Sequence, residues 1–323
     1  MVVRAAPARA VRSPTSVKMT NCTAKDTPDS TWQFCPSVGA SDLFIFLFGI
    51  TTLFHIYQGI RTRKWYTTAV IIGASWETIA FVGRTLSINK PASEGLYSLW
   101  FILILVAPLW INGFVYMILG RMVWNFLPTH EIFRVKASRL GVYFVSLDIL
   151  AFLVQMLGAV SAVGNRKDPN AATNALHIYL VGCGIQQLFI IVFCIIAVKF
   201  HLEIRAQIPT DKQARALKML YTMYAVILLI TIRIIFRLIE YSSGFNSSIP
   251  NTEAYMYCLD SVPMFIALVL LNVTHPGNIM PGKESDMPSR KERKMGKAGW
   301  GYAQTEGLVA PMGLELITPR GGV

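Results

Sequence analysis

The stretch TIRIIFRLIE carries Arg233, Arg237 and Glu240 at i, i+4 and i+7, on one face of a helix that is otherwise apolar. Glu77 and Arg84 stand at i and i+7 in a second apolar stretch, about 10.5 Å apart along one helical face, and Asp260 sits in a third. A charge held at mid-bilayer costs roughly 2.5–3.5 kcal/mol on insertion scales, so groups kept there pair inside a bundle or line a polar pathway. The chemistry on offer is charge recognition. Carboxylates can hold an ammonium group, and guanidinium forks can hold a phosphate.

These side chains need long helices to carry them. The chain has 323 residues, 53% hydrophobic and 15% charged, well under the charged share of about 25% usual in soluble domains. Windows of about 19 residues place seven spans near 42–60, 66–88, 96–120, 140–163, 176–199, 219–241 and 254–273. The expected architecture is all-α: a seven-helix membrane bundle over 41–277, a polar N-terminal tail over 1–40 and a basic C-terminal tail over 278–323. Pro108 and Pro263 interrupt the third and seventh spans, where each frees a backbone carbonyl and kinks the axis. Pro209-Thr210-Asp211 before KQARALK predicts a helix start that extends the sixth span beyond the membrane.

The net charge of +12 is concentrated in alternate loops, beside the spans, which argues for lipid headgroups and against nucleic acid. Arg61, Arg63 and Lys64 follow span 1. Arg121, Arg134, Lys136 and Arg139 follow span 3, and Lys199, Arg205, Lys212, Arg215 and Lys218 follow span 5. The other loops hold only Lys90, Arg166 and Lys167, so the positive-inside rule puts the N-terminus outside and the C-terminus in the cytoplasm. Asn-x-Ser/Thr triplets at Asn21 and Asn246 fall on the outer side, whereas the one at Asn272 falls on the inner side. The first 18 residues are Arg-rich and acid-free like a mitochondrial presequence, yet lack the apolar core of a secretory signal.

By depth, Glu77, Arg84, Arg233, Arg237, Glu240 and Asp260 occupy the outer half of the bilayer, three cations with three anions. Asp148 lies deeper in span 4, with Gln155 two turns outward, and span 5 adds Gln186 and Gln187. Two readings stay open: ion pairs that only fix helix register, or a ligand or gating site. Asp148 has no basic neighbour at its depth, so it is either held neutral by hydrogen bonds or takes part in proton movement.

Other residues carry less. Cys22 and Cys35 share the tail and are either paired or free; an outside tail permits the disulfide. Trp65, Tyr66, Tyr97, Trp100 and Trp124 at span ends suit an interfacial aromatic belt. His55 and His275 are isolated, and no metal or cofactor motif is present.

The pattern resembles the fungal RTA-like seven-span family (resistance to aminocholesterol), the lipid-translocating exporters. The likeness covers about residues 34–277. It rests on Arg233, Phe236-Arg237, Glu240, Gly244, Glu253, Tyr257, Asp260, Pro263-Met264 and His275-Pro276-Gly277. Glu77 with Arg84, Ala107-Pro108, Tyr116, Gly120-Arg121, Asp148 with Gln155 and Gly158, and Gly184 with Gln187 add to it. Departures are Ala80-Phe81, Asn112-Gly113, Ala151 and Asp42.

The resemblance implies a multi-pass plasma-membrane protein that moves an amphipathic lipid, such as a sphingoid base, phospholipid or sterol-like compound, and contributes to stress resistance. Under it, Glu77, Arg84, Asp148, Gln155, Gln187, Arg233, Arg237, Glu240 and Asp260 form the translocation track. The alternatives are a seven-span lipid sensor and a haem or porphyrin transporter. An enzyme is not expected, because the spans lack the histidines of a zinc hydrolase, and no P-loop offers direct ATP drive.

Overall fold

The computed structural model describes residues 22–164, 168–207, 209–242, 249–282 and 285–288. The Arg-rich leader, Asn21, Asn246, the Arg166-Lys167 pair and the basic run at 290–294 lie outside the described residues. Seven helices among them are long and apolar enough to cross a membrane. Helices are what such sequences must form in lipid, since each backbone N–H and C=O has to be satisfied within its own segment.

The helices are α1 (Val38–Thr62), α2 (Thr68–Asn89), α3 (Glu94–Phe126), α4 (Ala137–Gly164), α5 (Pro169–Gln207), α6 (Thr210–Ser242) and α7 (Glu253–Ile279). Ser37 caps α1 by accepting from the Ala40 N–H, and Arg63 ends it in the left-handed region at φ 52°. The start of α6 at Thr210 is where the Pro-Thr-Asp signal predicts it. By contrast α5 runs well past 176–199 at both ends, because its polar flanks hold no Gly or Pro to stop a helix before Pro209.

Consecutive helices pack side by side, α7 closes the ring against α1, and α3 also touches α5 and α6 and is the most buried span. Pro108 sits inside α3 without ending it. Near Pro263, α7 changes form: residues Glu253–Met256 are α-helical, Tyr257–Ser261 form a π-helical turn, and Val262–Val273 resume the α-helix. Such turns insert a residue into the helical ladder and re-aim the side chains they carry.

The tightest seam is between α4 and α5. A Cβ on Gly158 would lie 2.3 Å from the Tyr179 backbone nitrogen, and one on Gly182 would lie 2.8 Å from the Gln155 nitrogen. Small residues let the two backbones approach this closely. Gly184, part of the family resemblance, faces open space, so the contact belongs to Gly182 instead.

Residues 22–37 are not a loose tail. Cys22 and Cys35 form a disulfide, and the segment between them folds over the end of the bundle. Thr31 donates its backbone N–H to the Pro91 carbonyl at 3.0 Å, the Trp32 indole donates to the Ser87 carbonyl at 3.4 Å, and the Ser37 N–H donates to Glu253 at 2.8 Å.

Candidate functional site

The i, i+4 spacing of Arg233 and Arg237 turns both guanidinium groups toward Asp260, which the π-turn of α7 presents between them. Arg233 pairs through Nε with one oxygen of Asp260, and Arg237 pairs through Nη2 with the other. Arg237 Nη1 donates to Glu240 at 2.8 Å, one turn further along α6. Arg233 Nη2 donates to the Ile104 carbonyl at 2.8 Å. That carbonyl is the one Pro108 cannot satisfy, since proline has no N–H to offer its i−4 partner. All four charged side chains are buried.

Glu77 lies in α2 within electrostatic reach of Arg233, Asp260 and Arg237. It is 1% exposed, and its Oε1 has no hydrogen-bond partner.

Arg84 departs from the expected cluster. Its Nη2 donates to Glu253 at 2.7 Å, and its guanidinium lies 4.8 Å from the Trp32 ring centre and 4.5 Å from that of Trp100. Its Nε also donates to the Tyr257 hydroxyl at 3.3 Å. The six charges therefore do not neutralise one another as a set of three and three. Arg84 forms a separate pair, leaving two arginines with three carboxylates. Trp100 and Tyr66 correct the aromatic-belt reading as well: both are buried, Trp100 beside Arg84 and Tyr66 under Arg121 at 3.9 Å.

Deeper in the bundle, Asp148 accepts hydrogen bonds from Asn112 Nδ2 and the Tyr116 hydroxyl, each at 3.0 Å. Gln155 donates to Gln186 at 2.9 Å across the Gly182 contact. Gln186 therefore fills the place expected for Gln187, which is half-buried and has an unpartnered Oε1. Neighbouring residues on one helix differ by about 100° in direction, and only the packing of α4 decides which glutamine faces inward.

Two cavities adjoin parts of these networks. The larger, about 110 Å³, is walled by Trp32, Trp100 and Phe101, with Arg84, Glu253, Arg237 and Glu240 among its polar lining. The smaller, about 10 Å³ and so about the size of one water, lies between Arg233, Arg237, Pro108, Gln155 and Gln186. Arg237 and Tyr179 line both. Beside Asp148, the rings of Tyr116, Phe144 and Phe193 pack with centroids 4.7–5.3 Å apart.

Glu253, Tyr257, Asn112, Tyr116, Trp32 and Gln186 complete these networks but were not among the expected track residues. Glu253, Tyr257 and Tyr116 already stood in the family pattern, and Trp32 stood between two cysteines; Asn112 was visible only as a departure from that pattern.

Seven spanning helices around a buried line of paired charges and amides define a polytopic membrane protein with a polar interior. A profile of the RTA1-like protein family matches residues 70–283, and the chain belongs to that family. The probable lipid transporter atnI of Emericella nidulans is 38% identical over 270 residues, 80% of this chain and 70% of that protein. Protoporphyrin uptake protein 1 of Saccharomyces cerevisiae is 27% identical over 205 residues, 62% of this chain and 65% of its own length. The sphingoid long-chain base transporter RSB1 of the same yeast is 22% identical over 293 residues, 78% of this chain and 75% of that protein. No solved structure matches the chain.

Proposed function

We propose that this protein carries an amphipathic lipid across the plasma membrane, its headgroup moving along the interior track while the acyl chain stays in the bilayer. The observation that carries this reading is the shared wall of the two cavities. Arg237 faces both, so the ion cluster joins an aromatic vestibule to the Gln155–Gln186 pair. In the vestibule, Glu240 and Glu253 offer carboxylates to an ammonium headgroup, and Arg84 and Arg237 offer guanidinium groups to a phosphate. The relatives named for lipid and sphingoid-base transport support a sphingoid base as the substrate. The protein acts as a carrier and not as an enzyme.

The test is flipping of a fluorescent long-chain base in liposomes holding the purified protein. Flipping should be faster than in protein-free liposomes and should fall to the protein-free rate with Arg237→Ala. A wild-type rate equal to protein-free liposomes ends the proposal. A porphyrin is the second reading, supported by the relative named for protoporphyrin uptake and by the indole walls of the vestibule. Protoporphyrin entry into the same liposomes, without long-chain base movement, would favour it.

A further inference from the structure

We infer that Glu77 is a proton-binding site, and that a cationic headgroup entering the ion cluster expels its proton. The inference rests on the lipid-carrier reading for the ligand, but the proton site stands on geometry of its own.

Arg233 and Arg237 are already matched by Asp260 and Glu240. Glu77 is the third carboxylate at this cluster, buried, with Oε1 unpartnered. The charged groups in its reach are Arg233 and Arg237 from α6 and Asp260 from α7. Its flanking helices add none: α1 has no titratable side chain between Asp42 and His55, and α3 has none between Tyr97 and Tyr116. A buried carboxylate without a cation of its own is held in the neutral acid form. Asp148 is likewise buried with Oδ1 unpartnered, but two hydrogen bonds satisfy its other oxygen and no ion pair adjoins it with which a ligand could exchange.

Asp260 and Glu77 thus compete for Arg233. While Asp260 holds Arg233, Glu77 keeps its proton. When an ammonium headgroup takes Asp260, Arg233 is freed to pair with Glu77, which releases that proton to water. One cation enters and one proton leaves, so the cluster's charge is unchanged. This is the stoichiometry of cation–proton exchange.

Four measurements on the full-length protein test it. In the infrared spectrum, wild type should show the carbonyl stretch of a protonated carboxyl group, and Glu77→Gln should lose that component. Glu77→Gln mimics the neutral acid and should melt no lower than wild type. Sphingosine added in weakly buffered detergent should release about one proton per molecule bound, binding being followed by tryptophan fluorescence; in Glu77→Gln the freed Arg233 finds no carboxylate, so sphingosine should bind more weakly and what binds should release none. A pH difference of one unit across proteoliposomes should then drive about tenfold accumulation of sphingosine with wild type and none with Glu77→Gln.

An infrared spectrum unchanged by Glu77→Gln, a variant that melts well below wild type or does not fold, or binding without proton release would each overturn the inference. If sphingosine does not bind wild type at all, the substrate reading fails, and the infrared and melting results still decide the proton site.

Discussion

Arg84 shows how one side chain can be fixed by three kinds of contact at once. It is fully buried, paired with Glu253, hydrogen-bonded to the Tyr257 hydroxyl, and lies within cation–π distance of two indoles. A lysine at this position keeps the charge but loses the planar fork that stacks on the rings and holds the carboxylate. Arg84→Lys should therefore cost about 1–2 kcal/mol, read as a lower melting temperature in detergent with the tryptophan emission altered. Unchanged melting and emission would mean that the indoles are held without the guanidinium. That Arg84 was buried could be read from its spacing with Glu77. Its partner could not. Glu253 is 169 residues away at the edge of the last span, and Trp32 lies in a polar segment that hydropathy assigns to water.

Among the elements, the spans themselves were legible because a run of about 20 apolar residues can do little else in a bilayer. The details that aim the side chains were hidden, since they depend on which helix comes close to which. Pro108 and Pro263 announced breaks, but not that one would hand the Ile104 carbonyl to Arg233 or that the other would follow a π-turn. Pro108→Ala restores an N–H that draws this carbonyl back along the axis of α3. The regained ladder bond should offset the weakened bond to Arg233, so melting should change little while lipid flipping falls; an unchanged flipping rate would separate the carbonyl from the mechanism. The two glycines of the family resemblance on α4 and α5 give a sharper contrast. Gly158→Ala drives a methyl into the Tyr179 backbone and should cost about 1–3 kcal/mol, separating Gln155 from Gln186. Gly184→Ala meets nothing within 4 Å and should stabilise α5 by roughly 0.5–1 kcal/mol. Thermal melts of both variants check this, and equal effects would show that the α4–α5 seam is looser than the backbone contact implies.

For the whole molecule, we propose that the N-terminus lies outside and the C-terminus in the cytoplasm, and two independent arguments support it. Basic residues crowd the loops at the end where Lys64 meets Asp286 and Arg121 stacks on Tyr66, and positive loops stay in the cytoplasm. The Cys22–Cys35 disulfide closes the segment at the other end, and disulfides persist in oxidising compartments. A peptide tag placed before Cys22 should therefore bind antibody on intact spheroplasts, and one placed after residue 288 should bind only once the membrane is opened. The same disulfide holds the roof of the vestibule. Its closed loop has a sequence separation of 13 residues, and a loop of about 15 residues corresponds to roughly 3 kcal/mol of restrained chain entropy. Reducing it should leave the seven helices folded, because no helix of the bundle carries either cysteine, yet loosen Trp32 over Arg84. The expected result is unchanged far-ultraviolet circular dichroism, a shift in tryptophan emission and faster entry of a fluorescent long-chain base from the tagged side. Emission and entry that ignore the reductant would place the hold on the roof in the Thr31–Pro91 and Trp32–Ser87 contacts instead.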